Sequence, residues 1–179
     1  EDNRRRMFAA GGLPSYPVWL EQVHGTDVLT LDGGPYPSKR ADASYSRTPG
    51  TVCAVMTADC LPVLFCNRDG TEVAAAHAGW RGLCEGVLEE TVARFADKAE
   101  NMMAWLGPAI GPQAFEVGPE VRDAFMAKDE NAHRAFRPAG EKYFADIYRL
   151  ARQRLANVGV TQIFGGDRCT LSEKDDFFS

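Results

Sequence analysis

The segment LPVLFCNRDGTEVAAAHA, residues 61–78, constrains the fold more than any other part of the sequence. Two apolar runs flank the dipeptide Asp69-Gly70, which is typical of a two-residue type I′ turn between antiparallel strands. We therefore predict a β-hairpin with apolar strands on either side of this turn.

The predicted turn also fixes which residues face each other across the hairpin. Its register places His77 opposite Pro62 and Cys60 opposite Gly79. Side chains alternate between the two faces of a strand, so Cys60 and His77 share one face at the open end of the hairpin, about 7–8 Å apart. Proline cannot donate a hydrogen bond to a ladder, so we expect regular pairing to start after Pro62.

Hydrophobic periodicity and turn residues outline the rest of the chain. We predict helices over residues 1–10, 83–98, 119–128 and 142–159. We predict further strands within residues 17–32, where two strands flank Gly25-Thr26, and within residues 51–58, 102–111 and 160–166. Helices mixed with hairpin-connected strands predict an α+β fold rather than a doubly wound parallel sheet. Residues 1–179 have the length of one domain, and both ends look like interior sequence, so we expect a single-domain core of a longer chain with both termini missing.

Composition excludes several classes of protein. A net charge of -5 argues against general nucleic-acid binding, which depends on Lys and Arg. The sequence contains neither an apolar run of about 20 residues, as a membrane helix requires, nor a signal-peptide pattern. Five cysteines without framework spacing indicate free thiols in a reducing compartment, so we expect a cytoplasmic protein.

Cys60 and His77 have three interpretations from the residues alone. They are a buried thiol and a hydrogen-bonded histidine of the core, a cysteine nucleophile activated by a histidine, or two ligands of a metal ion. His24 supplies a third candidate ligand, because it also lies at a predicted strand end next to glycine. Arg81, just before a predicted helix that begins near Leu83, is a candidate anion-binding residue, with a solvated arginine as the alternative.

The segments QVHGTDV, ADASYS, TADCLPVLF, AAAHAGWRG, LGPAIGPQAFEVG and GGDRCT follow one another along almost the whole chain. Together they resemble the YfiH family, whose members are variously described as laccase-domain proteins, peptidoglycan editing factors and purine nucleoside phosphorylases. The similarity is greatest to its enterobacterial members. The resemblance implies an α+β four-layer α/β/β/α sandwich with mixed sheets, of the type shared with cytotoxic necrotizing factor-like cysteine hydrolases.

The resemblance also implies a centre made of His24, Cys60 and His77, which serve both as catalytic residues and as zinc ligands. Family members are described as cleaving adenosine, inosine, guanosine and methylthioadenosine with phosphate, and as deaminating adenosine. Copper-dependent oxidation of phenols is an older proposal for the family.

We therefore expect a zinc-dependent purine nucleoside phosphorylase with adenosine deaminase side activity, in which Arg81 holds phosphate and Gln22 contacts a purine edge. Its partners are then a nucleoside and phosphate rather than nucleic acid or a membrane, and the oligomeric state is open. The alternatives are a cysteine hydrolase or editing factor that acts on peptidoglycan precursors and, below it, a copper-dependent polyphenol oxidase. A multicopper centre needs many histidines, and the chain has three.

Overall fold

The computed structural model describes all 179 residues as helices and strands joined by extended loops. The strands are β1 (Val28–Thr30), β2 (Ala43–Ser46), β3 (Leu61–Asn67), β4 (Val73–Ala78), β5 (Met102–Leu106), β6 (Glu116–Val117), β7 (Phe136–Ala139), β8 (Lys142–Ala145) and β9 (Gln162–Gly165). The α-helices are α1 (Asp2–Ala10), α2 (Trp80–Glu85), α3 (Val87–Arg94), α4 (Pro119–Lys128) and α5 (Ile147–Asn157). Two short 3₁₀ helices cover Ala99–Asn101 and Glu130–Ala135.

The strands form two sheets. The larger sheet has six strands in the order β1-β2-β4-β3-β5-β9, and the smaller has three in the order β6-β8-β7. In the larger sheet β1 pairs with β2 and β5 with β9 in parallel, whereas the central pairs are antiparallel. All pairs of the smaller sheet are antiparallel. The predicted α+β class and the mixed sheet are therefore confirmed.

The predicted hairpin register is confirmed, because His77 lies opposite Pro62 in the β3–β4 pair. Pairing starts at Leu61, earlier than predicted. Proline is tolerated at this position because the carbonyl oxygen of Pro62 accepts a bond from Gly107 on the β5 side, while His77 donates its N–H to Asp42. The backbone polar groups of Pro62 and His77 therefore point away from each other, and the missing N–H of Pro62 removes no hydrogen bond between β3 and β4.

The predicted type I′ turn is wrong. Such a turn needs positive φ at both central residues, and of the pair only Gly70 has it, with φ 68°. The ladder closes one step earlier, where the Asn67 N–H donates its hydrogen bond to the Glu72 carbonyl across a four-residue loop. Within that loop the Gly70 N–H donates to the Asn67 carbonyl. The register survives because a four-residue loop centred on the same point preserves the same partners.

Two predicted helices differ from the observed ones. The segment 83–98 was predicted as one helix, but α2 begins earlier, at Trp80, and Gly86 in the left-handed region (φ 111°) separates it from α3, which ends at Arg94. The segment 142–159 contains strand β8 before α5. Asp146 caps α5 by accepting a hydrogen bond from the Arg149 N–H, and this cap fixes where the helix starts. Helices α1 and α4 match their predictions.

The predicted strands at residues 17–32 and 51–58 are mostly extended loop. Only β1 forms in the first segment, and the remaining contacts are isolated bridges that join Val18 to Cys53 and Glu21 to Arg40. Apart from these bridges, both segments run as extended chain without a continuous ladder of backbone hydrogen bonds, because each bridge pairs only one residue on each side. The predicted strands at β5 and β9 are confirmed.

The core lies between the larger sheet and the helices. Leu61, Val63 and Phe65 of β3 point to this face and are buried, and α3 contacts β1, β2 and β4 from the same side. On the opposite face Leu64, Trp105 and Phe164 form a row across β3, β5 and β9 and remain about half exposed. The alternation along β3 thus divides a buried face from a partly open apolar face.

Candidate metal centre

The structure brings His24, Cys60 and His77 together at one end of the larger sheet. One ligand atom from each residue lies within 4.8 Å of the others. His77 is on β4, Cys60 immediately precedes β3, and His24 lies in the loop before β1. The hairpin register therefore positions two of the three residues, and a separate loop delivers the third.

His77 is oriented by a buried carboxylate. Its Nδ1 is 2.7 Å from Oδ2 of Asp42, which has no solvent exposure. We assign the proton to Nδ1, because the Asp42 carboxylate is an acceptor only. The lone pair of Nε2 is then directed away from Asp42 and is available for a metal ion, as in other metal sites where a carboxylate orients a histidine.

The same carboxylate fixes the His24 loop. Asp42 Oδ1 accepts from the backbone N–H groups of Val23 (3.0 Å) and Gly25 (2.9 Å), and Oδ2 accepts from the N–H of His24 (2.9 Å). His24 has φ 61°, in the left-handed region, where histidine is enriched among the few non-glycine residues found there. Three consecutive N–H groups converge on one side chain, which holds this conformation in place.

Asp42 is the residue of this candidate centre that the sequence does not single out. It lies within the quoted motif ADASYS, but no spacing relation connects it to His24 or His77. The signal available in the sequence was a single charged residue inside an otherwise small and apolar stretch that forms a buried strand. A buried aspartate next to a strand requires partners, and its partners are the backbone of the His24 loop and the His77 ring.

Burial favours the neutral forms of Cys60 and His77 when no metal is bound. Burial raises the pKa of the Cys60 thiol, and the carboxylates of Asp59 and Asp42 raise it further. Burial lowers the pKa of His77 in spite of the opposing effect of Asp42. Burial would raise the pKa of Asp42, but its hydrogen bonds from Gly25, Val23, His77 and His24 outweigh this and hold its pKa below the usual range. A metal ion would therefore displace a proton from Cys60 on binding.

The three side chains are close enough together to hold a metal ion after a small movement. A methyl group placed on Gly79 would lie 2.7 Å from His24 Nδ1 and 3.2 Å from Cys60 Sγ, so only glycine leaves this volume open. One sulfur and two imidazole nitrogens form a donor set that zinc accepts, and three protein ligands leave a fourth position for water or substrate. Tetrahedral zinc places such atoms roughly 3.5 Å apart, so closure requires movements on the order of 1 Å. His24 is exposed and can make them.

Arg81 and Gln22 were predicted to bind substrate. Arg81 is the second residue of α2, is exposed, and stacks its guanidinium 4.7 Å from the centre of the Trp80 ring. Because α2 has six residues and starts before Arg81, the predicted contribution of a long helix starting near Leu83 is absent. Gln22 donates to the Met56 carbonyl (2.7 Å) and accepts from the Met56 N–H (2.8 Å). Its amide thus joins two loops, and the purine contact stays a prediction.

The third histidine lies apart from the centre. His133 is exposed within the 3₁₀ helix at Glu130–Ala135, and its Nδ1 is 2.8 Å from the Glu130 carbonyl oxygen. All five cysteines are free thiols. The centre at His24, Cys60 and His77 thus uses two of the three histidines of these 179 residues.

Comparison with known proteins now gives the family. The sequence model of the family described as multi-copper polyphenol oxidoreductase laccase matches residues 1–179. The chain belongs to this family, that of YfiH. It is 78% identical over 179 residues to the "Purine nucleoside phosphorylase YfiH" of Escherichia coli strain K12, a match that covers the whole chain and 74% of that relative. It is 53% identical over 182 residues to the "Purine nucleoside phosphorylase" of Haemophilus influenzae, covering 99% of the chain and 73% of the relative.

Solved structures of family members share the fold. The crystal structure of Neisseria meningitidis protein NMB0706 superposes with a TM-score of 0.91 at 49% identity, over 99% of this chain and 73% of that one. The structure of YlmD from Geobacillus stearothermophilus gives a TM-score of 0.81 at 28% identity, over 99% of this chain and 72% of that one. The names of the curated relatives indicate an enzyme. No helix in the structure has both the length and the apolar character needed to cross a membrane.

Proposed function

We propose that this chain is a purine nucleoside phosphorylase whose centre holds zinc through His24, Cys60 and His77. The observation that carries the proposal is the convergence of these three ligand atoms around the space left by Gly79, in a chain that is 78% identical to a relative named purine nucleoside phosphorylase. The substrates we propose are adenosine, inosine, guanosine and methylthioadenosine, with phosphate as the second substrate.

Each residue has a separate part in this proposal. Asp42 keeps the proton of His77 on Nδ1, so that Nε2 is presented to the metal position. His24 lies on the exposed side, which leaves the approach for a nucleoside next to it. Arg81 has no carboxylate partner, since it forms none of the ion pairs of the structure, and we assign its guanidinium to the phosphate. Zinc bound here would supply a Lewis acid and an activated water, the chemistry on which the proposed deamination of adenosine depends.

We favour zinc over copper because of the small number of histidines and the kind of reaction proposed. Two histidines and one cysteine also suit a single copper ion, so the donor set alone does not separate the two metals. A multicopper oxidase requires several ions, whereas this chain offers one group of three ligands and a single further histidine at a distance. Nucleoside cleavage by phosphate involves no electron transfer, and zinc is the metal that provides charge without redox chemistry.

A cysteine hydrolase acting on cell-wall precursors is the second candidate, and one observation favours it. Asp42, His77 and Cys60 stand in the order of a carboxylate, an imidazole and a nucleophile, as in hydrolytic triads. The electrostatics oppose it, because burial and two nearby carboxylates raise the pKa of the Cys60 thiol, whereas a catalytic cysteine requires a stabilised thiolate. Chelators would leave such a hydrolase active, and thiol alkylation would inactivate it.

One chromatographic assay tests the proposed function. Adenosine is incubated with and without phosphate, using the purified wild type, Cys60→Ala and His77→Ala. We expect adenine and ribose 1-phosphate only with phosphate, and their loss in both variants, because each variant removes one of three ligands. Inosine formed without phosphate would establish the deaminase activity. Arg81→Ala should raise the phosphate concentration required much more than the adenosine concentration. Absence of product under every condition would overturn the proposal and favour the hydrolase.

A further inference from the structure

We propose that Thr170 and Asp59 form a positioning pair that holds Cys60 in its metal-binding place. The inference rests on the proposed role of Cys60 as a metal ligand and adds two residues that do not themselves bind the metal. Cys60 lies just before β3, outside the β3–β4 ladder, and has no strand pairing of its own. Its position must therefore be held by other contacts of the preceding loop.

Asp59 sets the direction in which the chain reaches Cys60. Its φ is 71°, which makes it, with His24, one of two non-glycine residues at positive φ in the chain. Such a conformation costs on the order of 1 kcal/mol or more for a residue with a side chain and persists only where surrounding contacts hold it. One contact comes from the backbone, since the Asp59 carbonyl accepts a hydrogen bond from the Ile110 N–H at 2.9 Å.

The second contact comes from Thr170, far along the chain. Its hydroxyl donates to Asp59 Oδ1 at 2.6 Å, and the residue is 4% exposed. Thr170 is itself held in place, because its N–H donates to the Ala109 carbonyl at 3.0 Å and Ala109 forms a parallel bridge with Cys169. The three segments around Asp59, Ala109 and Thr170 are therefore linked by hydrogen bonds directly behind the ligand.

Removing the hydroxyl should displace the sulfur rather than unfold the protein. Without the bond from Thr170, the Asp59 carboxylate loses its side-chain partner and turns toward solvent, since the residue is only partly buried. The left-handed conformation then has one fewer restraint, and the backbone next to Cys60 relaxes. Metal sites depend on ligand positions held within about 0.5 Å, so a small rotation here weakens binding.

The experiment measures cobalt binding, which requires no enzyme activity. Purified metal-free wild type, Thr170→Val and Thr170→Ser are titrated with Co²⁺, and the sulfur-to-cobalt charge-transfer absorption reports the bond to Cys60. We expect Thr170→Val to bind Co²⁺ about 10- to 100-fold more weakly, with a weaker or shifted charge-transfer band, the range seen for partners of metal ligands. Thr170→Ser keeps the hydroxyl and should restore both the affinity and the band.

Thr91→Val serves as the matched control. Thr91 is fully buried and donates its hydroxyl to the Val87 carbonyl within α3, away from the centre, so this variant loses a buried hydroxyl without touching the positioning pair. Equal Co²⁺ affinity and an unchanged band in Thr170→Val would overturn the inference while leaving the proposed function in place. A wild type that shows no charge-transfer band would overturn the inference together with the Cys60 metal site. A wild type that binds Co²⁺ with a charge-transfer band but cleaves no nucleoside would overturn the proposed reaction, and the loss of Co²⁺ affinity in Thr170→Val would still establish the positioning pair.

Discussion

Asp42 and Glu72 are two buried carboxylates at opposite ends of the β2–β4 pair, and both accept hydrogen bonds from backbone N–H groups and from a side chain. Asp42 has no exposure and accepts from three backbone N–H groups and His77. Glu72 is 4% exposed and accepts from the N–H groups of Ala96 and Asp97 and from the Tyr45 hydroxyl. Both carboxylates replace the water they lose on burial with hydrogen bonds, as buried charges must.

The difference lies in the last partner of each carboxylate. Asp42 contacts the imidazole of His77, one of the three residues of the candidate metal centre, and so orients a potential ligand. Glu72 contacts the phenol of Tyr45, which lies outside the candidate centre. Burial, the hydrogen bond to Glu72 and the charge of Glu72 raise the pKa of Tyr45 to about 12. The same arrangement thus supports the candidate centre at one end of the β2–β4 pair and joins only structural segments at the other.

Asp42→Asn against Glu72→Gln is the strongest test of this comparison. In Asp42→Asn one side of the carboxylate becomes an NH₂ group, which cannot accept from His77 Nδ1, so the proton is expected to move to Nε2 and occupy the ligand lone pair. We expect Zn²⁺ affinity to fall about 100-fold, at the upper end for a residue behind a ligand. Competition with a chromogenic chelator measures it.

Glu72→Gln is the control for that experiment, because it neutralises an equally buried carboxylate at the far end. Its Zn²⁺ affinity should equal that of the wild type under conditions where both are folded. A similar loss of affinity in both variants would show that stability, and not the orientation of His77, sets metal binding, and the comparison between the two carboxylates would fail.

The acid dependence of stability is the next largest effect and belongs to Glu72. Burial would raise the pKa of Glu72, but hydrogen bonds from Tyr45, Ala96 and Asp97 outweigh it and hold the pKa below its usual value. The stability that Glu72 contributes is therefore complete above its unfolded pKa of about 4.3 and is lost as the pH falls through the lower folded pKa. Glu72→Gln should lower the free energy of unfolding by about 2 kcal/mol at neutral pH.

Urea unfolding between neutral and acidic pH measures this contribution. The gap between wild type and Glu72→Gln should narrow as the pH falls, whereas the exposed Glu90→Gln should follow the wild type throughout. A gap that stays constant down to acidic pH would mean that the ionised form of Glu72 has no special stability in the folded protein.

Gly79→Ala gives the smallest effect and separates the centre from the fold. Gly79 has φ -69° and ψ 167°, which alanine adopts without strain, so the added methyl acts through its close approach to His24 Nδ1 (2.7 Å) and Cys60 Sγ (3.2 Å). Because His24 is exposed and can shift, we expect about tenfold weaker Zn²⁺ binding, within the range for indirect changes at metal sites. Thermal unfolding should barely change.

Gly25→Ala is the matched variant for this test. Its methyl group would meet Asp42 Oδ1 and a Val23 methyl at 3.8 Å, an ordinary contact, although Gly25 is adjacent to His24 in the sequence. Zn²⁺ affinity should therefore be retained. Weaker binding in Gly25→Ala than in Gly79→Ala would show that the volume beside Gly79 is not the metal position.

Much of the centre could be predicted because a local rule determines it. The alternation of the β3–β4 hairpin relates Cys60 to His77 whatever the loop conformation, so the register was correct although the turn type was wrong. Of the two strands predicted around His24 only β1 forms, and nothing in the sequence indicates φ 61° at His24 or the acceptor that maintains it. Asp42 and Thr170 act through contacts between distant segments, which periodicity and spacing within one sequence do not encode.

The helix predictions failed where a local signal was present but was outweighed. The apolar spacing of residues 83–98 continues through Gly86, yet the glycine takes φ 111° and ends α2 there. Lys142–Ala145 has the composition of a helix start but pairs with β6 and β7 because those strands offer hydrogen bonds and the Asp146 cap defines a later start. Backbone conformation at one glycine decided the first case, and tertiary partners decided the second.

The attachment of residues 23–25 to Asp42 also determines when the centre can exist during folding. This loop has no regular secondary structure, so no local ladder or helix holds His24 before its acceptor is in place. Asp42 reaches its position only when β2 has paired with β4, a contact between segments well separated in the sequence, and such contacts form late because loop closure must precede them. A collapsed chain with an unpaired β2 would have all three ligands in its sequence and no centre in space.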